Sequence, residues 1–291
     1  MKAPDFDYAK PRSLDEVFAL MRTHGDDARL LAGGQTLMAT LAMRLSEPRL
    51  LIDLTGLPGL DGITVKDGRL HIGALVTHTA IEASPVVAEH APLLSMAVPH
   101  IAHRAIRNRG TWGGSIAYGD PAAEWPCCLV ALDGVVTVQG PGGTRRIAAT
   151  DFFQDLYTTA LRPDELVIGA DVPVATAADW HGFDELSRRH GDYAVAGLAV
   201  AARFAGAQLQ QVRLALLGVG AIPVRARRTE ALLAGKVLDD AAIEIAATTL
   251  KNELDPVGDL TSNAETKRHL ASVLLRRLLQ AARASRGVLA A

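Results

Sequence analysis

Two glycine-rich segments constrain this chain of 291 residues more than any other feature: Ala32-Gly33-Gly34-Gln35-Thr36 and Gly110-Thr111-Trp112-Gly113-Gly114-Ser115. Where glycines free backbone amides at the start of a helix, the amides can cradle an anion such as a pyrophosphate. A lone Gly-Gly is more often an ordinary turn, so the two segments carry weight only together. The usual nucleotide fingerprints are missing. No lysine follows the spacing of a P-loop, and Gly218-Val219-Gly220-Ala221-Ile222-Pro223 ends in proline where a dinucleotide-binding motif needs Gly or Ala opening a helix. P-loop and Rossmann readings are therefore rejected.

The pattern around the segments is mixed. Ser13 and Glu16 have the spacing of a capping box, which starts a helix running to about Met21. The apolar run 28–32 reads as a buried strand, and 36–43 as a helix with Thr36 available to cap it. Residues 50–54 give a second apolar strand, and Gly56, Pro58 and Gly59 mark a connection. Asp67-Gly68 between 63–65 and 69–73 predicts a hairpin, as does Pro141-Gly142-Gly143 between 135–138 and 144–147. Helical patterning covers 77–103. From Phe183 longer strands appear, at 194–204 and 211–217, followed by helices near 228–234, 239–250 and 264–286. The partition expected is 1–57, 58–177 and 178–291.

Composition excludes several classes. Thirty basic against 32 acidic residues give a net charge of −2, which provides no field for nucleic acid. The N-terminus lacks the apolar stretch of a signal peptide, and no run of about 18 apolar residues could span a bilayer, so a cytoplasmic location and no membrane span are expected. The two cysteines, Cys127 and Cys128, are adjacent, which suits neither a disulfide framework nor an iron-sulfur or zinc site. His100 and His103 share helical spacing but have no third ligand at a recognisable distance, and no metal is assigned. In the basic run Arg104, Arg107 and Arg109, one guanidinium could neutralise a diphosphate, although a solvated face or an interface is the plainer reading. The stretch 119–126, Gly-Asp-Pro-Ala-Ala-Glu-Trp-Pro, adds two carboxylates near the hydroxyls of Thr111 and Ser115.

These residues carry a resemblance. AGGQT at 32–36, RNRGTWGGSIA at 107–117 and GDPAAEWP at 119–126 resemble the two flavin-cradling motifs and the acidic segment of the FAD-binding medium subunit of the molybdenum hydroxylase, or xanthine dehydrogenase, family. FDYAKPRSLDEV near the start, LIDLTGLPGL at 51–60, HIGALVTH at 71–78 and GDYAVAG at 191–197 follow in the family's order, so the likeness spans essentially the whole chain. It implies an α+β fold of the vanillyl-alcohol-oxidase-like FAD-binding type, with two N-terminal α/β subdomains and a C-terminal antiparallel sheet with packed helices.

Carried across, the resemblance implies that the backbone from Leu31 through Ala32, Gly33, Gly34, Gln35 and Thr36 to Leu37 wraps the FAD diphosphate, with Thr36 adding its hydroxyl. Thr111, Gly114 and Ser115 would bond diphosphate or ribityl oxygens, and Ile101 and Ala102 would line the ring system. Ala117, Tyr118 and Ala123 belong to the same cofactor-binding set. Glu124 would take a ribose or adenine-side hydroxyl, and Tyr193 would sit beside the isoalloxazine, although an aromatic buried in the sheet explains it nearly as well. Trp112, Ser115 and Tyr118 depart from the family's usual residues, which bears on local geometry.

The same resemblance implies partners: a large subunit holding the molybdenum cofactor and a small subunit holding two 2Fe-2S clusters, assembled as a dimer of heterotrimers. The chain would relay electrons from the clusters to a terminal acceptor, and no residue is named as catalytic for substrate. Two other readings remain: a self-contained FAD-dependent oxidoreductase of the same fold superfamily, and a non-redox nucleotide-binding module.

Overall fold

The computed structural model of the chain describes residues 2–287. Its strands fall into three main sheets. In the first, β1 (Asp7–Ala9), β2 (Ala28–Leu31) and β3 (Leu50–Asp53) run parallel in the order β1-β3-β2. Parallel neighbours need crossovers, which α1 (Leu14–His24) and α2 (Leu37–Ala42) supply. Helix α1 starts where its capping box predicts: Ser13 Oγ accepts from the Glu16 amide at 3.2 Å. Glu16 reaches back one residue further than expected, to the Arg12 amide at 2.8 Å. Thr36 does not cap α2 with its side chain, because it already has helical dihedrals (φ −90, ψ −50) and its hydroxyl cannot turn back onto the first-turn amides.

The second sheet is antiparallel, of β4 (Ile63–Lys66), β5 (Arg69–Gly73), β6 (Val135–Gly140), β7 (Gly143–Ala148) and β10 (Leu166–Pro173), in the order β4-β5-β10-β6-β7, with a ribbon of β8 (Phe153–Asp155) and β9 (Thr158–Thr159) beside it. Both expected hairpins form, and Asp67 and Gly68 have φ of 50 and 71, as a type I′ turn demands. The central strand β10 was not expected. It is largely buried, so it reads as an apolar run without the period-2 signal.

Helices α3 (His78–Glu82), α4 (Pro85–His90) and α5 (Pro92–Ala97) replace the single helical stretch expected over 77–103. Pro85 and Pro92 each open a new helix, since proline lacks an amide and fits only the first turn. Next come α6 (Arg104–Arg107), α7 (Trp112–Tyr118), α8 (Glu124–Ala131) and α9 (Ala149–Phe152).

The third sheet, β11 (Asp179–Ser187), β12 (Ala194–Ala205), β13 (Gln208–Leu217) and β14 (Val224–Arg225), is antiparallel in chain order and precedes α10 (Arg227–Leu233), α11 (Asp240–Glu253) and α12 (Ala264–Gly287). Alternation along β12 divides its side chains between two cores. Ala196, Leu198 and Val200 join a cluster with α11 and α12, whereas Ala199 and Ala201 join the central cluster that includes α5 and α8. A sheet covered on both faces loses the polar alternation of a half-solvated one, and its small residues let α8 approach closely. The chain thus has the expected α+β architecture, with the third sheet clamping the helices that follow the second glycine segment.

Candidate functional site

One cavity, with a volume of about 680 Å³, is lined by strands of the first and second sheets and by the turn before β12. Ligand sites typically occupy about 300–1,000 Å³, so it can take a large cofactor. It gathers the residues the sequence singled out. Ala32, Gly33, Gly34, Gln35, Thr36 and Leu37 line it from the first segment, and Ile101 and Ala102 from the turn before α6. Thr111, Gly114, Ser115, Ala117 and Tyr118 come from α7 and its cap, Ala123 and Glu124 from the start of α8, and Tyr193 from the turn before β12. Leu31, the last residue of β2, pairs with Asp53 in the sheet and is not among the residues that line the cavity.

The two glycine segments are locked together. A Cβ on Gly33 would sit 2.2 Å from the Arg109 carbonyl oxygen and 2.8 Å from Gly110 Cα, so only glycine permits this contact of two backbones. Gly34 has φ +73, the left-handed conformation that turns the chain into α2. The first amide to donate back into that helix is Met38, to the Gly34 carbonyl at 3.0 Å. The amides of Gly34, Gln35, Thr36 and Leu37 have no acceptor among the described residues, which leaves a row of donors at the cavity wall. Arg29, on β2, also lines the cavity. Its guanidinium donates to the Asp26 and Ala28 carbonyls at 2.8 Å each and pairs with no carboxylate among the described residues.

The second segment behaves differently. Trp112 donates its amide to the Val76 carbonyl and Gly113 to that of Ala74, both at 2.8 Å. Gly114 donates to Thr111 Oγ1 at 3.2 Å and Ser115 to the Thr111 carbonyl at 3.1 Å. The amides opening α7 are therefore consumed within the chain, contrary to the expectation that both segments offer free amides. What α7 presents to the cavity is the hydroxyls of Thr111 and Ser115 and the bare surface of Gly114. Trp112 is fully buried, edge-on to Trp125 with centroids 5.2 Å apart, so this departure from the family's residues is a packing substitution.

Sequence reasoning missed His78 and misjudged Arg107. His78 lines the cavity, and its Nδ1 accepts from Trp125 Nε1 at 3.0 Å. Burial, helped by the nearby Arg107 charge, lowers its imidazole to about 4, so it is neutral at pH 7. Arg107 is a buried clamp instead of a solvated cation. It holds both Glu82 oxygens at 3.2 Å and donates to the carbonyls of Ile101 (3.1 Å) and Ala102 (3.0 Å), fixing a turn in which Ala102 has φ +43. Arg104 pairs with Glu82 as well, so these two members of the basic run are engaged away from the amide row, whereas Arg29, on the strand that leads into it, lines the cavity. His100 and His103 share no helix face: His100 packs on Phe183 near Glu185, and His103 lies against His190. Among the described residues no group of three or more His, Cys, Asp or Glu side chains gathers as metal ligands would.

The opposite wall is acidic. Burial raises the Asp120 carboxyl, and it pushes that of Glu124 up to about 7, with Asp120 adding to the shift. Glu165 also faces the cavity, but Arg145 takes both its oxygens at 2.7 and 2.6 Å. Tyr118 packs at a tilt against Tyr157, with ring centroids 5.0 Å apart, and Tyr193 is 67% exposed, which disposes of the buried-in-the-sheet alternative. A row of bare amides beside an unpaired cation, joined through apolar walls to unpaired carboxyls, matches a ligand with a diphosphate at one place and hydroxyls at another. FAD is such a ligand, and the residues fit it.

The comparisons agree with this geometry. Residues 4–175 match the FAD binding domain in molybdopterin dehydrogenase, and residues 181–282 match the CO dehydrogenase flavoprotein C-terminal domain. The nicotine 6-hydroxylase medium subunit of Paenarthrobacter nicotinovorans is 39% identical over 279 residues, covering 96% of this chain and 98% of the relative. The carbon monoxide dehydrogenase medium chain of Hydrogenophaga pseudoflava is 34% identical over 282 residues, covering 97% and 98%. A solved carbon monoxide dehydrogenase from that organism, lacking the Mo-pyranopterin moiety of its molybdenum cofactor, superposes with a TM-score of 0.94 at 35% identity, over 98% of this chain and 99% of the other. Quinoline 2-oxidoreductase from Pseudomonas putida 86 gives a TM-score of 0.93 at 35% identity, with the same coverage. The chain belongs to the FAD-binding medium subunits of the molybdenum hydroxylases, the xanthine dehydrogenase family of oxidoreductases.

Proposed function

We propose that this chain is the electron-transfer subunit of a heteromeric molybdenum hydroxylase, taking electrons from two 2Fe-2S clusters on a small partner and passing them to a terminal acceptor. A large partner would hold the molybdenum cofactor and carry out substrate hydroxylation, in a cytoplasmic dimer of heterotrimers. Among the described residues no helix is long and apolar enough to cross a membrane. The observation that carries the reading is the row of unsatisfied amides, 34–37, meeting the hydroxyls of α7 in one cavity.

In this reading each element of the cavity has a task. The amides of Gly34, Gln35, Thr36 and Leu37, with Arg29, bind and neutralise the diphosphate. Thr111 and Ser115 orient ribityl or diphosphate oxygens, and Gly114 yields space for them. Glu124 accepts from a ribose or adenine-side hydroxyl. Ile101 and Ala102, held by Arg107, line the ring system and exclude water, and Tyr193 shields the mouth. Bound FAD supplies the exchange between one-electron and two-electron transfer. Residues 1–57 and 58–177 act as the two flavin-binding subdomains and 178–291 as the C-terminal domain.

Expression of the chain alone and with its genomic neighbours, followed by visible spectra and metal analysis, tests this. FAD on the lone chain, with iron and molybdenum only in the co-purified complex, is the expected result. Substrate turnover by the lone chain would overturn the electron-transfer assignment in favour of a self-contained flavoenzyme.

A further inference from the structure

The turn after β13, Gly218-Val219-Gly220, fails as a dinucleotide fingerprint, and its place in the fold gives it another task. Gly218 donates its amide to the Pro121 carbonyl at 2.9 Å, beside the cavity-lining Asp120 and Ala122. A Cβ on Gly218 would lie 2.9 Å from the carbonyl oxygens of both Ala194 and Val195, which follow the cavity-lining Asp192 and Tyr193. One glycine therefore touches the backbone behind two separate walls of the cavity. Its own carbonyl accepts from Lys267 Nζ at 3.0 Å.

Lys267 sits on α12, and its side chain is 10% exposed. A lysine this buried needs its donors satisfied. Its second partner is Asp259 Oδ2 at 2.7 Å, and Asp259 is itself fixed by the Thr261 amide and hydroxyl at 2.7 Å each and by the Ser262 amide at 2.9 Å. The ammonium thus stands between an anchored carboxylate and one particular carbonyl.

We propose that Lys267 is a positioning residue for the flavin cavity. Anchored by Asp259, it clamps the Gly218 turn and so sets the stretches 120–124 and 192–195 against each other. This rests on the reading that the cavity holds FAD.

The test titrates the flavin-depleted full chain with FAD, records the fine structure of the bound flavin's visible band, and measures the Tm of the flavin-free protein. Lys267→Met is expected to weaken FAD binding roughly tenfold, the scale of one charge-assisted hydrogen bond, and to blur the band. Asp259→Asn is expected to move both readouts the same way by less. Arg276→Ala, which removes an α12–α11 ion pair of 2.8 Å to Glu244, is expected to lower the Tm and leave FAD affinity and spectrum alone. Unchanged affinity and spectrum in Lys267→Met, or in Asp259→Asn should the first variant not fold, would overturn the proposal and leave Lys267 a purely structural role. A wild-type chain that binds no FAD overturns the cavity reading and the clamp with it.

Discussion

Replacing Gly33 by alanine adds one methyl group at the closest point between the two glycine segments. That Cβ would meet the Arg109 carbonyl oxygen at 2.2 Å, where ordinary van der Waals contact begins at about 3.4 Å, so the segments must part by roughly 1 Å. The obstacle is backbone on both sides, and no flexible side chain can swing away. Overpacking of this kind costs about 1–3 kcal/mol. If the strain falls on the cavity, FAD affinity drops about 5- to 150-fold. If the chain relaxes by loosening the loop, the same free energy is lost from folding. Titration of the flavin-depleted variant, with a urea midpoint beside it, reads both channels. Gly142→Ala is the control, since a Cβ there meets nothing within 4 Å. If Gly33→Ala matches Gly142→Ala in both affinity and stability, the claim that the segments are locked backbone to backbone is wrong.

Three further outcomes are expected. Gly34→Asp places a side chain at φ +73 and a negative charge beside the bare amides, and should abolish FAD binding; a folded variant with unchanged flavin content would defeat the diphosphate assignment. Arg107→Met leaves the Ile101 and Ala102 carbonyls without their donor and Glu82 with Arg104 alone at 3.4 Å, and should cost about 1–3 kcal/mol by urea unfolding, with Arg107→Lys recovering part; a loss near zero would mean that the 101–102 turn holds itself. Burial pushes the carboxyl of Glu185 up to about 8, with Glu124 and Asp184 adding to the shift and His100 facing it at 3.8 Å. Because the folded chain keeps that proton above the ordinary carboxylate range, this contribution to stability is full at low pH and is lost as pH rises towards about 8. Glu185→Gln should therefore flatten the fall in Tm between about pH 4.5 and 8, and equal slopes for variant and wild type over that range would refute the burial argument.

What could be read from the sequence was local, and what could not was set by distant partners. The α1 cap, both hairpins and the strand–glycine–helix order follow from residues within a few positions of each other, and the family likeness supplied the remaining architecture. Strand β10 escaped because burial erases the alternation that marks a strand. Arg107 looked like a solvated cation because its carboxylate partner lies 25 positions earlier. The two glycine segments looked equivalent for the same reason. Local spacing says that a glycine-rich helix start can free its amides, but their fate depends on which carbonyls the fold brings near. At α7 the carbonyls of Ala74 and Val76 arrive from the chain after β5 and take the amides of Trp112 and Gly113, whereas at α2 none does so among the described residues. The division of labour follows from that difference: the first segment offers donors to an anion, and the second, already satisfied, can serve as the rigid wall against which the first is held.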